Sequence, residues 1–173
     1  LSSILAPEKA LRWDIHIFIL GYKNFDPSRV FCNTCGMNTL LTESAEQIKK
    51  AWAHCITSQN SDELMRLYSK NAILKPTLST VIRNGHDEIL PYFIGSPKFN
   101  DSGFLNQGIS EVKFLKSNQY ALDSVVVDVG TYEFTKSNGE STFADYTFVF
   151  DLSNLESVSI VAHHSSLVFS ETV

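Results

Sequence analysis

The sequence predicts an α+β domain in which helices pack on one face of a mostly antiparallel sheet. In the first half of the chain, apolar residues recur with the spacing of an amphipathic helix, about 3.6 residues per turn. The second half changes to the alternating pattern that is typical of strands. The pair Asn138-Gly139 separates two of these strand-like runs and is a strong hairpin signal.

The composition fits one globular domain and argues against several kinds of partner. The chain has 173 residues, of which 43% are hydrophobic and 19% are charged, enough for one core. Its net charge is −5 and its Lys and Arg residues are scattered, so we do not expect it to bind nucleic acid. The apolar run at residues 15–20 is far too short to span a membrane, and we expect no membrane partner.

The N-terminal part of the chain carries few signals. Residues 1–41 predict an irregular or partly helical lead-in to a domain over residues 42–173, because proline and glycine interrupt them. The chain begins at Leu1, so we expect a processed form, or one repeat of a longer polypeptide, whose targeting peptide has been removed. Cys32 and Cys35 form a single C-x-x-C, which supplies too few ligands for a structural zinc site. Two ordinary cysteines or one local disulfide are expected there.

Helices are expected between residues 42 and 93. Apolar residues over 48–56, among them Cys55, form one face of a helix, and Ser44 with Gln47 predicts its capping box. Ser61 predicts the cap of a second helix. A third helix is expected to be short, because Pro91 is tolerated only in the first turn.

The last strand-like run, VAHHSSLVF, contains two histidines and two serines. Because side chains alternate across a strand, His164 and Ser166 are predicted to share the core-facing side with Ile160. His163 and Ser165 then fall on the other side, with Val161, Leu167 and Phe169, which a partner subunit could cover. Adjacent histidines on a regular strand point in opposite directions, so no histidine zinc site is predicted.

Other polar side chains could join this strand in a binding site. Thr77 and Ser79 alternate onto one face of the extended segment KPTLST, with Arg83 and Tyr92 shortly after. Hydroxyls and a guanidinium suit a small planar anion, because each donates to an oxygen without adding negative charge. An imidazole beside them, His164 by alternation, could move a proton near neutral pH.

Taken together, LYSKNAILKPTLSTVIRNGHDEILPYF, VGTYEFT, ADYTFVF and VAHHSSLVF resemble the iota-class carbonic anhydrases. These belong to the nuclear transport factor 2-like superfamily, beside SnoaL-like proteins and the association domain of calcium/calmodulin-dependent kinase II. The resemblance runs from about Cys35 to Phe169. It implies a cone-shaped, usually dimeric α+β domain, with helices on a curved mostly antiparallel sheet, that interconverts carbon dioxide and bicarbonate. It also suggests a plastid, or another algal organelle, as the location.

The resemblance further implies how the substrate is held. Some members are described as metal-free, while others use manganese or zinc, and we expect no metal here. In the metal-free members threonine, tyrosine and serine hydroxyls hold bicarbonate, and these roles fall on Thr77, Tyr92 and either Ser165 or Ser166. Periodicity favours Ser166. Our hypothesis places carbon dioxide against Phe148 and Ile160.

Departures from the family pattern leave other functions open. Asp145 replaces the arginine common before the Y-T-F strand, Val158 replaces a tryptophan, and the P-E after HHSS is lost. The same fold also serves as a non-catalytic oligomerisation or ligand-binding module. An isomerase or cyclase of the SnoaL type would need a carboxylate base, for which Asp123 and Asp128 are available.

Overall fold

The computed structural model describes the backbone of residues 33–77, 79–154 and 159–168, with side chains from residue 37 onwards. These residues lie in one compact unit, Cys32–Val173. They form helices and a six-stranded sheet, which confirms the α+β class. None of the described helices is long and apolar enough to cross a membrane. Most of the lead-in, with Cys32, and also Val158 and Phe169 lie outside the described residues.

The first described helix, α1, is longer than the sequence indicated and spans Asn33–Thr57. Its apolar face is as predicted, with Cys55 buried. The capping box at Ser44 is wrong, because Ser44 lies inside the helix and its hydroxyl donates to the carbonyl of Leu40 at 2.9 Å. A serine inside a helix can bond back to the preceding turn in this way, so its presence did not mark the start.

Two shorter helices follow. Helix α2 spans Ser61–Leu67, and its cap is Asn60, whose side chain accepts from the backbone N–H of Glu63 at 3.1 Å. Helix α3 spans His86–Ile94 and contains Pro91 beyond its first turn, contrary to the prediction. In so short a helix the proline removes a single backbone hydrogen bond, and its own carbonyl accepts from the N–H of Gly95 at 2.9 Å.

The sheet has the strand order β2-β1-β6-β5-β4-β3. Strands β1 and β6 are parallel, and all other neighbours are antiparallel. Short 3₁₀ turns at Pro97–Phe99 and Phe104–Gln107 connect α3 to β3. The strands are β1 Tyr68–Lys75, β2 Arg83–Asn84, β3 Ile109–Leu122, β4 Val125–Lys136, β5 Ser141–Asp151 and β6 Ser159–Leu167.

Two hairpins build the long strands. The turn at Asn138-Gly139 joins β4 to β5, as predicted, and Gly139 adopts a φ of +87° there. A second hairpin joins β3 to β4, which are antiparallel neighbours. The chain reverses at Asp123, whose φ is +51°, so that Leu122 pairs with Val125. Aspartate tolerates this left-handed conformation better than most residues do.

Helix α1 covers one side of the sheet, which we call the inner face. Trp52 of α1 is 1% exposed and stacks on Tyr132 of β4, with ring centroids 6.0 Å apart. Trp52 also packs edge-to-face with Phe148 of β5, with ring centroids 5.5 Å apart. The opposite side of the sheet is the outer face. Burying large aromatic rings on the inner face supplies much of the apolar area that stabilises the domain.

Candidate active site

A β-bulge near the start of β6 changes the direction of the side chains that follow. Ile160 pairs with Phe150 of β5, and Ala162 pairs with the adjacent Val149, so Val161 has no partner on β5. An extra residue of this kind interrupts the regular alternation of side chains between the two faces of a sheet. The residues after Val161 therefore lie on the faces opposite to those that strict alternation predicts.

The bulge decides which residues of HHSS face the interior. His163 and Ser165 point to the inner face and are only 4% and 5% exposed. His164 is exposed, and Ser166 lies beside it on the outer face. The prediction that His164 and Ser166 face the core is therefore wrong, because alternation counted from Ile160 could not include the bulge.

The departure at Asp145 also lies on the outer face. Asp145 is opposite Ser166 in the register of β5 and β6, and its carboxylate accepts a hydrogen bond of 2.8 Å from the hydroxyl of Thr131. Asp145 therefore adds no negative charge to the inner face.

Three hydroxyls meet on the inner face at Ser165. The hydroxyl of Thr77, two residues beyond the end of β1, hydrogen-bonds to Ser165 Oγ. The hydroxyl of Tyr132 on β4 donates to the same oxygen. Burial raises the pKa of Tyr132, so its phenol is a neutral donor. Three segments far apart in the sequence thus bring neutral O–H groups to one point.

Tyr132 was not among the predicted site residues, although the sequence carries a signal for it. It belongs to GTYEF, where alternation places Tyr132 on the face of the buried Phe134. Gly130 of the same motif is also required. A Cβ there would lie 1.9 Å from the carbonyl oxygen of Lys116 and 2.7 Å from the hydroxyl of Tyr146, so no larger residue fits.

His163 belongs to a chain of buried hydrogen bonds. The indole N–H of Trp52 donates to the hydroxyl of Tyr68 at 3.0 Å, and that hydroxyl lies 2.8 Å from Nδ1 of His163. The ring of Phe148 stacks on the imidazole with centroids 4.0 Å apart. Burial, and to a smaller extent the neighbouring His164, lowers the pKa of His163 to about 3. His163 is therefore uncharged near neutral pH.

A small cavity lies beside these groups and includes the predicted Tyr92. The space left in it for water-sized guests is about 10 Å³, roughly the volume that one water molecule needs. Polar and aromatic side chains share its lining, and no described lining residue is charged near neutral pH. The lining residues are Trp52, Leu74, Pro76, Thr77, Tyr92, Phe93, Phe104, Tyr132, Phe134, His163 and Ser165.

Besides Ser166, two other predicted binding residues, Ser79 and Arg83, do not line this cavity. Arg83 is fully buried, and its Nη2 lies 3.0 and 2.9 Å from the two carboxylate oxygens of Asp101. Its guanidinium covers the ring of Phe99, at 4.2 Å from the centroid. The hydroxyl of Ser79 accepts from the same Nη2 at 3.3 Å. Arg83 is thus committed to a carboxylate of the chain, which the sequence alone could not reveal.

The apolar walls also differ from those expected. Phe148 and Ile160 are completely buried and do not line the cavity. Phe148 lies behind His163, and Ile160 precedes the bulge. Rings from α1, α3, β4 and the 3₁₀ turn form the walls instead, and these elements are far apart in the sequence.

Neither carboxylate considered as a base reaches the cavity. Asp123 is exposed in its turn. Asp128 is fully buried but lies 2.5 Å from Nζ of Lys49, which is itself 1% exposed. Ser117, Gln119 and Tyr146 also donate hydrogen bonds to Asp128. Within the described residues, no three His, Cys, Asp or Glu side chains are grouped so that they could hold a metal ion.

The fold is shared with proteins of known structure. The bicarbonate complex of a cyanobacterial iota-carbonic anhydrase superimposes with a TM-score of 0.65 at 22% identity, over 75% of this chain and 93% of the other. A Xanthomonas campestris protein assigned as a calcium/calmodulin dependent protein kinase II association domain gives 0.61 at 26% identity, over 73% and 86%. An NTF-2 like protein of unknown function from Shewanella oneidensis gives 0.57 at 19% identity, over 72% and 98%. The fold is therefore nuclear transport factor 2-like.

Sequence comparison identifies the family more closely. No curated protein matches the chain significantly. A family model described as metal-independent carbonic anhydrase matches residues 38–167. This match covers most of the chain and includes Thr77, Tyr132 and Ser165, whose hydroxyls meet on the inner face. It agrees with the resemblance inferred from the motifs and with the expectation of a site without a metal. The chain therefore belongs to the metal-independent carbonic anhydrase family.

Proposed function

We propose that this chain catalyses the reversible hydration of carbon dioxide to bicarbonate, without a metal, in the cavity beside Ser165. The observation that carries the proposal is the meeting of the Thr77 and Tyr132 hydroxyls at Ser165 Oγ. Neutral O–H groups can donate to the oxygens of bicarbonate without repelling its charge. Tyr92, in the same lining, supplies a further phenol.

Each part of the cavity has a role in the proposed reaction. The aromatic walls, which include Trp52, Phe93 and Phe104, offer apolar surface to carbon dioxide. Because the open space holds only about one water molecule, these side chains have to move apart when carbon dioxide enters. The oxygen of a water molecule forms a bond to the carbon, and one C=O electron pair moves onto its oxygen. The hydrogen bond between Thr77 and Ser165 opens, and both hydroxyls donate to the negative charge as it develops there. The water that attacked loses one proton, which a second water molecule accepts.

The energetics require several donors to act together. A zinc ion lowers the pKa of bound water from 15.7 to about 7, which corresponds to about 12 kcal/mol at 1.36 kcal/mol per pKa unit. One well-placed donor typically contributes about 2.7–4 kcal/mol. Replacing the ion therefore takes roughly three or four donors by the same measure. Thr77, Ser165, Tyr92 and His163 bring that number to the cavity lining, while Tyr132 donates to Ser165 and strengthens it as a donor.

Carbon dioxide hydration should survive removal of metals. Stopped-flow measurement with a pH indicator is expected to give the same rate before and after dialysis against a strong chelator. The triple variant Thr77→Val/Tyr132→Phe/Ser165→Ala provides the blank. A rate that falls on chelation and returns with added zinc or manganese would contradict the metal-free mechanism. A wild-type rate equal to the blank would contradict the enzyme assignment and favour a non-catalytic module.

We also propose that the outer face forms a homodimer interface. Ile73, Val129, Phe143 and Val168 are between 43% and 48% exposed on this face, and the less exposed Val127 and Val149 lie among them. In the strand register, the polar Asp145 and Ser166 lie between Val129 and the end of the face that carries Phe143. Exposed apolar residues that share one face are typical of surfaces that contact another protein. A two-fold interface uses the same patch on both subunits, so this face would pack against its own copy.

A charge in the centre of this face should separate the subunits. Val129→Lys is expected to shift the sedimentation coefficient from that of a dimer to that of a monomer, because burying an unpaired ammonium group is costly. Met37→Lys is the matched control, since Met37 is 56% exposed on helix α1. A wild-type chain that sediments as a monomer, or a variant that remains dimeric, would contradict this interface.

A further inference from the structure

A chain of hydrogen bonds runs from Trp52 through Tyr68 to the imidazole of His163. A phenol carries one proton and can accept from other donors. The oxygen of Tyr68 already accepts the indole N–H of Trp52 at 3.0 Å. Its own proton therefore remains available for Nδ1 of His163, which lies 2.8 Å away.

The opposite arrangement would leave a buried donor unsatisfied. If Nδ1 of His163 carried the proton, the Tyr68 oxygen would accept twice and its own O–H would have no acceptor among the described residues. Tyr68 is 3% exposed and is not a lining residue of the cavity, so water does not reach it there. Nε2 of His163 lacks a partner among the described residues in either arrangement, so the difference between them is the Tyr68 O–H. Leaving that buried donor unsatisfied costs about 1–3 kcal/mol, which favours Nδ1 as the acceptor.

A neutral imidazole whose Nδ1 accepts carries its proton on Nε2. Nε2 of His163 is buried and has no hydrogen-bond partner in the described part of the chain, and His163 lines the cavity. We propose that Trp52 and Tyr68 are positioning residues that hold His163 as its Nε2–H tautomer, so that the ring donates a hydrogen bond to the reacting oxygen and takes no proton from water. The catalytic part of this inference rests on the proposed function.

The surroundings of the ring support a donor that stays neutral. Phe148 stacks on one side of the imidazole at 4.0 Å between centroids, and Trp52 meets it edge-on at 5.5 Å. No described carboxylate is within bonding distance of the ring to stabilise an imidazolium ion. The aromatic contacts also restrict rotation of the ring, which keeps Nδ1 beside Tyr68. The sequence predicted an imidazole that accepts a proton. In this proposal the imidazole of His163 is instead a fixed hydrogen-bond donor.

The tautomer can be measured directly and independently of activity. Long-range ¹H–¹⁵N correlation spectra of ¹⁵N-histidine-labelled protein distinguish a protonated from an unprotonated ring nitrogen, and the His163→Gln variant assigns the signal. We expect Nε2 to be protonated and Nδ1 to be unprotonated across the neutral pH range. In Tyr68→Phe the fixed pattern should be lost, whereas Tyr120→Phe, which alters a 66% exposed tyrosine, should leave it unchanged. A protonated Nδ1 in the wild-type chain would overturn the proposal.

Activity separates a donor from a base. The side-chain amide of Gln can donate from about the position of Nε2 but cannot take a proton, and Leu can do neither. We expect His163→Leu to lower kcat by about 10²–10³-fold, the typical effect of one lost donor, and His163→Gln to restore most of it. Equal losses in both folded variants would mean that His163 acts as a base, and would overturn the donor role. If the wild-type chain hydrates no carbon dioxide, the proposed function fails, while the spectra still decide the tautomer.

Discussion

Ser165→Ala is expected to lower kcat/KM for carbon dioxide hydration by about 10²–10³-fold, or roughly 2.7–4 kcal/mol of transition-state stabilisation. The serine oxygen is where the hydroxyls of Thr77 and Tyr132 meet. Its removal takes away one donor and also leaves the Tyr132 O–H, in a residue that is 1% exposed, without its acceptor. The loss should appear in stopped-flow rates measured at several concentrations of carbon dioxide.

The adjacent serine provides a matched control. Ser166→Ala removes the same atom from the same strand but on the outer face, and we expect it to leave the rate unchanged. Circular dichroism and urea unfolding of both variants would separate a loss of activity from a loss of folding. If Ser166→Ala inactivated the chain and Ser165→Ala did not, β6 would follow strict alternation and the bulge at Val161 would be wrong.

Lys49→Met is expected to be the most destabilising of the substitutions considered for this chain. Nζ of Lys49 lies 2.5 Å from Asp128, and both side chains are buried. Removing one partner leaves the other charge uncompensated, which typically costs about 3–5 kcal/mol. The whole domain is expected to have a free energy of unfolding of only about 5–15 kcal/mol. Urea denaturation followed by tryptophan fluorescence would measure the change.

Two further variants test whether burial of the charge is the cause. In Lys113→Met the salt bridge to Glu111 is lost, but both partners are about half exposed, and we expect a much smaller cost because solvent screens the pair. The double variant Lys49→Met/Asp128→Asn removes both charges and should recover a substantial part of the stability. A cost for Lys49→Met no larger than that for Lys113→Met would contradict the buried ion pair.

The elements that the sequence predicted best are those with local signals. The apolar face of α1 follows from helical spacing around Trp52, and the hairpin at Asn138-Gly139 follows from the turn pair itself. Boundaries were less accurate. Ser44 has the chemistry of a cap but lies within the helix, and the turn at Asp123 has no glycine to mark it. A serine can stand at the start of a helix or inside it, and an aspartate can stand in a strand or in a turn. The residue type alone does not decide between these positions.

Site residues could be predicted where they belong to a sequence motif. They could not be predicted where the pairing between strands determines which residue faces the cavity. Thr77 and Tyr92 were expected together from the family resemblance, and the structure brings both to one cavity lining. The choice between Ser165 and Ser166 depended on the register between β6 and β5, which no local pattern reports. Their roles in binding bicarbonate remain predictions.

Two residues of the hydrogen-bond chain were missed, and Arg83 was assigned the wrong role, for a different reason. Tyr68 and Trp52 look like ordinary core positions, because their rings are apolar and only their polar tips meet. Arg83 was expected to bind an anion but pairs with Asp101, eighteen residues further along the chain. Such pairings depend on how distant segments fold together, and sequence spacing contains no information about them.

The bulge at Val161 gives the repeated histidines and serines of HHSS a structural consequence. Were the strand to slip into regular pairing, His164 and Ser166 would replace His163 and Ser165 on the inner side. The same two chemical groups would be presented, displaced by one residue, or about 3.4 Å along the strand. After such a slip the inner face would still carry one histidine and one serine. Only their positions would change, so their distances to the other groups of the site would decide whether the site is active.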